Sequence, residues 1–176
     1  MVKKFLIAFA IICLVTAFAV NISAQEKAAE ETAAKHEFIG ADKCKMCHKK
    51  DGTHTSWLET KHAKAWESLN AEQQKDAACA GCHSTGTTAE GALLTGVQCE
   101  ACHGAGSDYK KKTVMENREE AVKMGLIVPD EKTCLSCHND KVPEQFRSKE
   151  KFDFAKMKAA GVHAMAVKEE VKKTTE

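Results

Sequence analysis

One five-residue pattern occurs four times in this 176-residue chain: two cysteines separated by two residues and followed at once by a histidine. The copies are Cys44-Lys-Met-Cys47-His48, Cys79-Ala-Gly-Cys82-His83, Cys99-Glu-Ala-Cys102-His103 and Cys134-Leu-Ser-Cys137-His138. They use eight of the nine cysteines, and the ninth, Cys13, precedes them all. Because each copy must bring two thiols and an imidazole to one site, this repeat constrains the fold more than any other feature.

The pattern is typical of covalent haem c attachment. The two thiols add to the two vinyl groups of one porphyrin, and the adjacent imidazole binds the iron from below. The sequence therefore predicts four covalently bound haem c groups. The proximal iron ligands are then His48, His83, His103 and His138.

Two other interpretations compete with haem attachment. A disulfide framework is typical of exported chains and explains the even cysteine count, but it leaves the four histidines unexplained. A zinc module would use Cys79, Cys82, Cys99 and Cys102, whose spacing fits a zinc ribbon. That interpretation leaves the other two cysteine pairs and the constant histidine position without a role.

The first 24 residues are predicted to be an export signal. Lys3 and Lys4 precede an uncharged apolar run from Phe5 to Val20, and small residues up to Ala24 offer a cleavage site. We expect cleavage near Ala24 and a periplasmic protein. The alternative is an uncleaved signal that anchors the chain, which would be its only contact with a membrane.

Composition limits the remaining possibilities. With 26 basic and 25 acidic residues, the chain lacks the basic excess of a nucleic-acid-binding protein. Aromatic residues make up only 6%, so a conventional core would be thin and the fold is expected to depend on bound haem. The tetrahaem domain is predicted at 38–163, after a tether at 25–37 and before a charged tail at 164–176.

The predicted fold class is mainly α, with short helices and long loops wrapped around the haems and little or no sheet. Ser56 and Glu59 form a possible capping box, and helical spacing then places five residues on one face: Leu58, His62, Ala65, Trp66 and Leu69. Further helices are predicted from Asn117 to Met124, around the fourth motif, and from Phe154 to Ala160 after Asp153. Residues 84–98 are interpreted as a loop.

The second iron ligands must come from residues outside the motifs. His62 is favoured because it lies between Leu58 and Trp66 on the apolar face, and His163 because it follows a helix end close to the fourth motif. His54 is interpreted as a turn residue and His36 as exposed. Met115 could supply a thioether ligand or pack ahead of the Asn117 helix.

Several segments together resemble the tetrahaem cytochrome c-554 family. They are the first motif, Thr55-Ser56-Trp57, Lys61-His62-Ala63-Lys64-Ala65, and the stretch from Leu94 to Gly106 around the third motif. The resemblance extends over about residues 38–163 and includes the order of the four motifs. It implies a mainly helical fold, haems in close pairs, and electron transport in the periplasm.

The resemblance also implies a ligand set. His62 would ligate the haem of His103, His163 that of His138, and the haem of His83 would be five-coordinate. The family's ligand for the first haem is a histidine soon after the third motif. This chain has no histidine between Tyr109 and Met115, so Met115, His54 or no residue remains open for that haem.

The predicted function is periplasmic electron transfer between redox partner proteins of a respiratory chain. Lysines could steer an acidic partner, namely Lys43, Lys45, Lys49, Lys50, Lys110, Lys111 and Lys112. The alternative is reduction of a nitrogen oxide at a five-coordinate haem, for which the sequence identifies no catalytic residue. A zinc-dependent binding module is a third hypothesis.

Overall fold

Short helices carry or flank each of the four motifs. The computed structural model describes residues 36–164, so the predicted signal, its cleavage near Ala24 and nearly all of the tether and tail lie outside the described residues. The helices are α1 (Ala41–His48), α2 (Thr53–Leu58), α3 (Ala77–His83), α4 (Cys99–His103), α5 (Lys112–Met115), α6 (Arg118–Lys123), α7 (Glu131–Leu135) and α8 (Phe154–Ala160). Two 3₁₀ turns are at Trp66–Ser68 and Glu144–Phe146, and two strands are β1 (Ser84–Thr87) and β2 (Leu93–Thr95).

The predicted fold class, mainly helical with little sheet, is confirmed. The longest helix in the described stretch, α1, has 8 residues, whereas helices shorter than about 12 residues are marginal in water by themselves. The helices therefore depend on tertiary contacts and on whatever the motifs bind. None of the helices within residues 36–164 is long and apolar enough to cross a bilayer.

Side-chain caps fix the helix starts that the sequence predicted. The Asn117 side chain accepts hydrogen bonds from the amides of Glu119 and Glu120 and begins α6. The Asp153 side chain accepts from the Lys156 amide and begins α8. These caps satisfy amides that the first turn leaves without partners, and both predictions are confirmed.

The predicted long helix after Ser56 is wrong. Helix α2 begins after Gly52, so Ser56 lies inside it, where its hydroxyl donates to the Thr53 carbonyl at 3.0 Å. The helix ends at Leu58, because the Thr60 hydroxyl donates to the Trp57 carbonyl at 2.7 Å and accepts from the Ala63 amide at 3.2 Å. Such local side-chain bonds compete with a continuing helix.

The segment predicted as a loop at 84–98 contains a small antiparallel sheet. Strand β1 pairs with β2 in the register Ser84↔Thr95, Gly86↔Leu94 and Thr87↔Leu93, with an irregularity between Ser84 and Gly86. The Gly96 amide then donates to the His83 carbonyl at 3.0 Å. The sheet thus brings the end of the second motif back to the segment that leads into the third.

A buried carboxylate joins the first and third motifs. Glu100 is 2% exposed and lies in α4 between Cys99 and Cys102. Its two oxygens accept hydrogen bonds from the amides of Ile39 (3.0 and 3.1 Å), Gly40 (2.7 Å) and Gly106 (2.7 Å). The start of α1 is therefore held against α4.

Few hydrophobic side chains are buried by the protein itself. Within the described stretch they are Ala41, Tyr109 and Ala121, whereas larger apolar side chains such as Met46, Ile127 and Phe146 are 49–73% exposed. A chain of this size normally buries well over half of the surface that its unfolded form exposes. This pattern agrees with the expectation that the fold requires an additional apolar body to pack against.

Replacement of Glu100 by alanine should destabilise the holoprotein by roughly 2–5 kcal/mol, because three buried amides would lose a charged acceptor. Glu100→Gln, which keeps one oxygen acceptor, should lose less. Chemical denaturation followed by circular dichroism measures the free energy of unfolding. Glu72→Ala is the control because Glu72 is exposed and pairs only with Lys75. Equal losses in Glu100→Ala and Glu72→Ala would contradict the role of Glu100.

Candidate haem-binding site

The four cysteine pairs occupy helices or helix ends. Helices α1, α3 and α4 each end at the motif histidine, and the fourth motif runs through the end of α7. All eight motif cysteines are free of disulfide bonds. No group of three or more metal-binding side chains is assembled within residues 36–164, so the two pairs expected in a zinc ribbon are not gathered into one.

Cysteines of different motifs lie close to one another. Burial raises the pKa of Cys102 in the third motif, and the nearby Cys134 and Cys137 of the fourth motif raise it further. The thiols of Cys44 and Cys99 lie within hydrogen-bonding reach, and this bond, with burial, raises the pKa of Cys44 while it lowers the pKa of Cys99. Burial and a similar contact with Cys137 raise the pKa of Cys82 to about 11. The first motif is therefore adjacent to the third, and the second to the fourth.

Three motif histidines are oriented by hydrogen bonds from Nδ1. His48 Nδ1 lies 2.9 Å from an Asp51 carboxylate oxygen, His83 Nδ1 lies 2.7 Å from the Ala65 carbonyl, and His103 Nδ1 lies 3.1 Å from the Ile127 carbonyl. Because Nδ1 donates in each case, Nε2 keeps the lone pair that binds a metal. The donor set therefore fits an iron held by one imidazole per motif.

Two further histidines lie opposite motif histidines. The ring centroids of His62 and His138 are 6.0 Å apart, and those of His163 and His103 are 6.2 Å apart. Two imidazoles on opposite sides of one metal, with bonds of about 2 Å each, place their ring centroids about 6 Å apart. Both pairs therefore have the spacing of axial ligands to a single iron.

The positions of these rings differ from the pairing implied by the resemblance. It assigns His62 to the haem of His103 and His163 to the haem of His138, whereas the structure places each beside the other motif. The Ala164 amide donates to the Ser56 hydroxyl of α2 at 2.7 Å. This contact, which no local pattern in the sequence encodes, holds the segment of His163 beside the third motif.

The segment of His62 is fixed by the chain that precedes the third motif. The Val97 amide donates to the His62 carbonyl at 2.9 Å, and the Trp57 indole donates to the Val97 carbonyl at 3.0 Å. Burial lowers the pKa of His62 and of His103. Both rings are therefore favoured in the neutral form, which is the form that ligates iron.

The other candidate ligands lie elsewhere. His54 is buried within α2 and contacts Trp57 with ring centroids 5.5 Å apart, so its interpretation as a turn residue is wrong. His36, expected to be exposed, has Nδ1 2.6 Å from Asp108 and its ring against Gly125. Met115 is the last residue of α5, and its role as a ligand remains a prediction.

Three residues at the site had no role assigned from the sequence. Asp51 lies three residues after a motif histidine, and a carboxylate at that position is a possible signal of an Nδ1 partner. Glu100 is one of the two residues between the cysteines of the third motif. Phe152 has no local signal in the sequence, and its ring stacks on His138 with centroids 4.8 Å apart and planes at 12°.

Comparisons with known proteins show which family this chain resembles. The family model "Cytochrome c554 and c-prime" matches residues 43–104, which contain the first three motifs. Cytochrome c-554 of Nitrosomonas europaea is 31% identical over 62% of this chain and 60% of the relative. The chain is therefore similar to proteins of the cytochrome c554 family. It spans about 60% of the length of this curated relative.

The solved structure of reduced cytochrome c554 from Nitrosomonas europaea is 30% identical to this chain. The match covers 65% of this chain and 72% of that one, with a TM-score of 0.48. Similarity to cytochrome c554 proteins supports covalently bound haem c, which the donor sets described above fit.

Replacement of Gly96 by alanine should displace the His62 segment. Gly96 has φ +79°, and a Cβ there would lie 2.6 Å from the Ala63 carbonyl oxygen. Gly91 is a matched control, since it has φ +87° but no heavy atom within 4 Å of the same position. Gly91→Ala should lower the free energy of unfolding by about 1–2 kcal/mol, because alanine is strained in a left-handed backbone. Gly96→Ala should lower it by about 1–3 kcal/mol more, because the added Cβ overlaps the Ala63 carbonyl.

Denaturant unfolding of the two holoproteins measures this difference. If the overlap displaces the His62 segment, Gly96→Ala should change the spectrum of a haem ligated by His62, and Gly91→Ala should leave that spectrum unchanged. A larger loss of stability in Gly91→Ala than in Gly96→Ala would contradict it.

Proposed function

We propose that this protein is an exported electron-transfer protein that holds four haem c groups. The single observation that carries the proposal is the pair of 6 Å imidazole contacts, in each of which a motif histidine faces a second histidine. The cysteines that would attach the haems are Cys44, Cys47, Cys79, Cys82, Cys99, Cys102, Cys134 and Cys137. The proximal ligands would be His48, His83, His103 and His138.

Bound haem c supplies an iron that changes between the ferric and ferrous states without breaking its protein bonds. The residues of the chain supply the ligands and their orientation. His62 with His138, and His163 with His103, would fill both axial positions of two irons. Two imidazoles leave no position for a small molecule, so these two sites are suited to electron transfer alone.

The adjacent motifs offer a route between the sites. Cys44 contacts Cys99, and Cys82 contacts Cys137, so groups attached at these pairs would lie close together. The proposed periplasmic location is supported by the apolar run and predicted cleavage site of residues 1–24, and by the similarity to cytochrome c-554. Redox partner proteins would then deliver and accept the electrons.

Reduction of a small molecule is the second candidate function, and the surroundings of His83 favour it. Its Nδ1 is held by Ala65, and within residues 36–164 no second histidine ring faces it as His62 faces His138. Likewise, His48 Nδ1 is held by Asp51, and no second histidine ring faces it within the same residues. An iron with an open side can bind a nitrogen oxide, and the family resemblance likewise implies a five-coordinate haem at His83.

Removal of either proposed distal ligand should convert one low-spin iron to high spin. The intact mass of the exported protein should first equal that of residues 25–176 plus four haems. Electron paramagnetic resonance of the oxidised holoprotein should then show one fewer low-spin iron in His62→Ala and in His163→Ala. His36→Ala is the control, because the His36 ring is held by Asp108 and packs against Gly125.

Each possible result has a definite meaning. An unchanged spectrum in both His62→Ala and His163→Ala would overturn the proposed ligation. A mass equal to the bare polypeptide would overturn haem attachment itself. Four low-spin irons in the starting protein, together with no carbon monoxide binding after reduction, would exclude the reductase function.

The outer face of α1 is the proposed docking surface for an acidic redox partner. Lys43, Lys45, Lys49 and Lys50 are exposed within eight residues that contain no acidic side chain, whereas the whole chain is nearly neutral. Met46 lies among them and is 73% exposed. Asp42 lies one helical turn before Met46 and pairs with Lys45 at 3.9 Å, so the four lysines still outnumber the carboxylates near this apolar side chain. Such a surface suits a carboxylate-rich partner.

Helical geometry separates this face from the haem-binding face. At 3.6 residues per turn, Cys44, Cys47 and His48 share one side of α1, and Met46 projects from the opposite side. A haem attached to the first motif therefore leaves the lysine face open. Cys47 is exposed while Cys44 is half-buried, so one edge of the attachment site is close to solvent.

Charge reversal on α1 should slow reactions with anionic redox reagents. The double variant Lys45→Glu/Lys49→Glu should reduce the rate constant for oxidation by ferricyanide by about tenfold at low ionic strength, because attraction is replaced by repulsion. The difference should shrink as salt shortens the screening length to about 8 Å at 0.15 M. Stopped-flow absorbance measures the rates.

The matched control is Lys141→Glu/Lys149→Glu, which changes the net charge equally at exposed positions outside α1. A cationic cobalt tris-phenanthroline oxidant should respond in the opposite direction. Equal slowing by the two double variants would show that net charge, not the α1 face, determines the rate.

A further inference from the structure

The fourth motif histidine is oriented differently from the other three. His48, His83 and His103 each have Nδ1 within 3.1 Å of an acceptor. Among the described residues, the His138 ring has no hydrogen-bond partner in the protein. It has instead a stacked neighbour, Phe152, with centroids 4.8 Å apart and planes inclined by only 12°.

Phe152 is held in place independently of His138. It directly precedes Asp153, whose side chain accepts from the Lys156 amide at 3.0 Å and caps α8. The same segment and Glu131, at the start of α7, line one surface cleft. The capped start of α8 thus fixes the backbone next to Phe152, and the imidazole of His138 lies nearly parallel to the phenyl ring.

The two imidazole pairs also differ in the angle between their planes. His62 and His138 are inclined by 69°, whereas His103 and His163 are inclined by 40°. A ligand ring is free to rotate about its bond to a metal unless a hydrogen bond or a packing contact fixes it. For His138 the contact that fixes the plane is the Phe152 ring.

We propose that Phe152 is a positioning residue that sets the plane of the His138 imidazole and so keeps it nearly perpendicular to His62. This inference rests on the proposed function, in which both rings ligate one iron. The angle between two axial imidazole planes governs how the ferric d orbitals split. Nearly perpendicular planes give an axial low-spin signal with one dominant g value, and planes closer to parallel give a rhombic signal.

Electron paramagnetic resonance of the oxidised holoprotein tests the proposal. The starting protein should show an axial low-spin signal from the His62–His138 iron and a more rhombic one from the His103–His163 iron. Phe152→Leu removes the stacked ring but keeps apolar volume, and it should move the axial signal towards the rhombic type. The second signal should stay at its original position.

Three further variants make the test specific. Phe152→Tyr keeps the stacked ring and should retain the axial signal, whereas Phe152→Met offers a second apolar replacement without a ring and should behave as Phe152→Leu. Phe154→Leu is the matched control, because Phe154 lies in the same segment but contacts the Lys158 ammonium rather than His138. It should leave both signals unchanged.

The outcomes separate this inference from the proposed function. Signals at their original positions in Phe152→Leu or Phe152→Met would overturn the role of Phe152. Conversion of the axial species to high spin in these variants would also overturn it, since the residue would then be needed for ligation and not for orientation. Absence of both low-spin signals from the unmodified protein would overturn the proposed ligation instead.

Discussion

The burial of one carboxylate determines how the parts of this site are assembled. Glu100 lies where water cannot solvate it, so its charge is tolerable only if hydrogen bonds replace hydration. The amides that do so come from Ile39, Gly40 and Gly106, and Gly40 is 60 residues away along the chain. Because these donors flank α1 and α4, the hydrogen bonds that the buried Glu100 needs hold the first motif beside the third.

The rest of the described structure depends on backbone hydrogen bonds more than on a hydrophobic core. Short helices present the motifs, and loop carbonyls at Ala65 and Ile127 orient two motif imidazoles. Few apolar side chains are buried by the protein itself. The helices, each of a few turns at most, are thus expected to owe their stability to the cofactors that their cysteines attach.

Local features were predictable and distant ones were not. The Asn117 and Asp153 caps follow from a side chain and the amides within three residues of it, so the sequence identified both. The helix expected beyond Leu58 does not form, because hydrogen bonds of the Thr60 hydroxyl end it. The helical spacing of apolar residues gives no sign of these bonds. The β1–β2 sheet was missed because its strands are short and rich in glycine and threonine.

The same division applies to the functional site. Covalent spacing within five residues is a property of the sequence, so the four attachment motifs and their histidines could be identified without a structure. The second histidine of each of the two pairs comes from a distant segment, and only tertiary contacts decide which motif histidine it meets. The bond from Ala164 to Ser56 holds the segment of His163 beside His103, and the Val97–His62 bond anchors the segment of His62. The stacking of Phe152 on His138 likewise exists only when α8 lies beside the fourth motif, because a ring contact needs a position in space that no local pattern specifies.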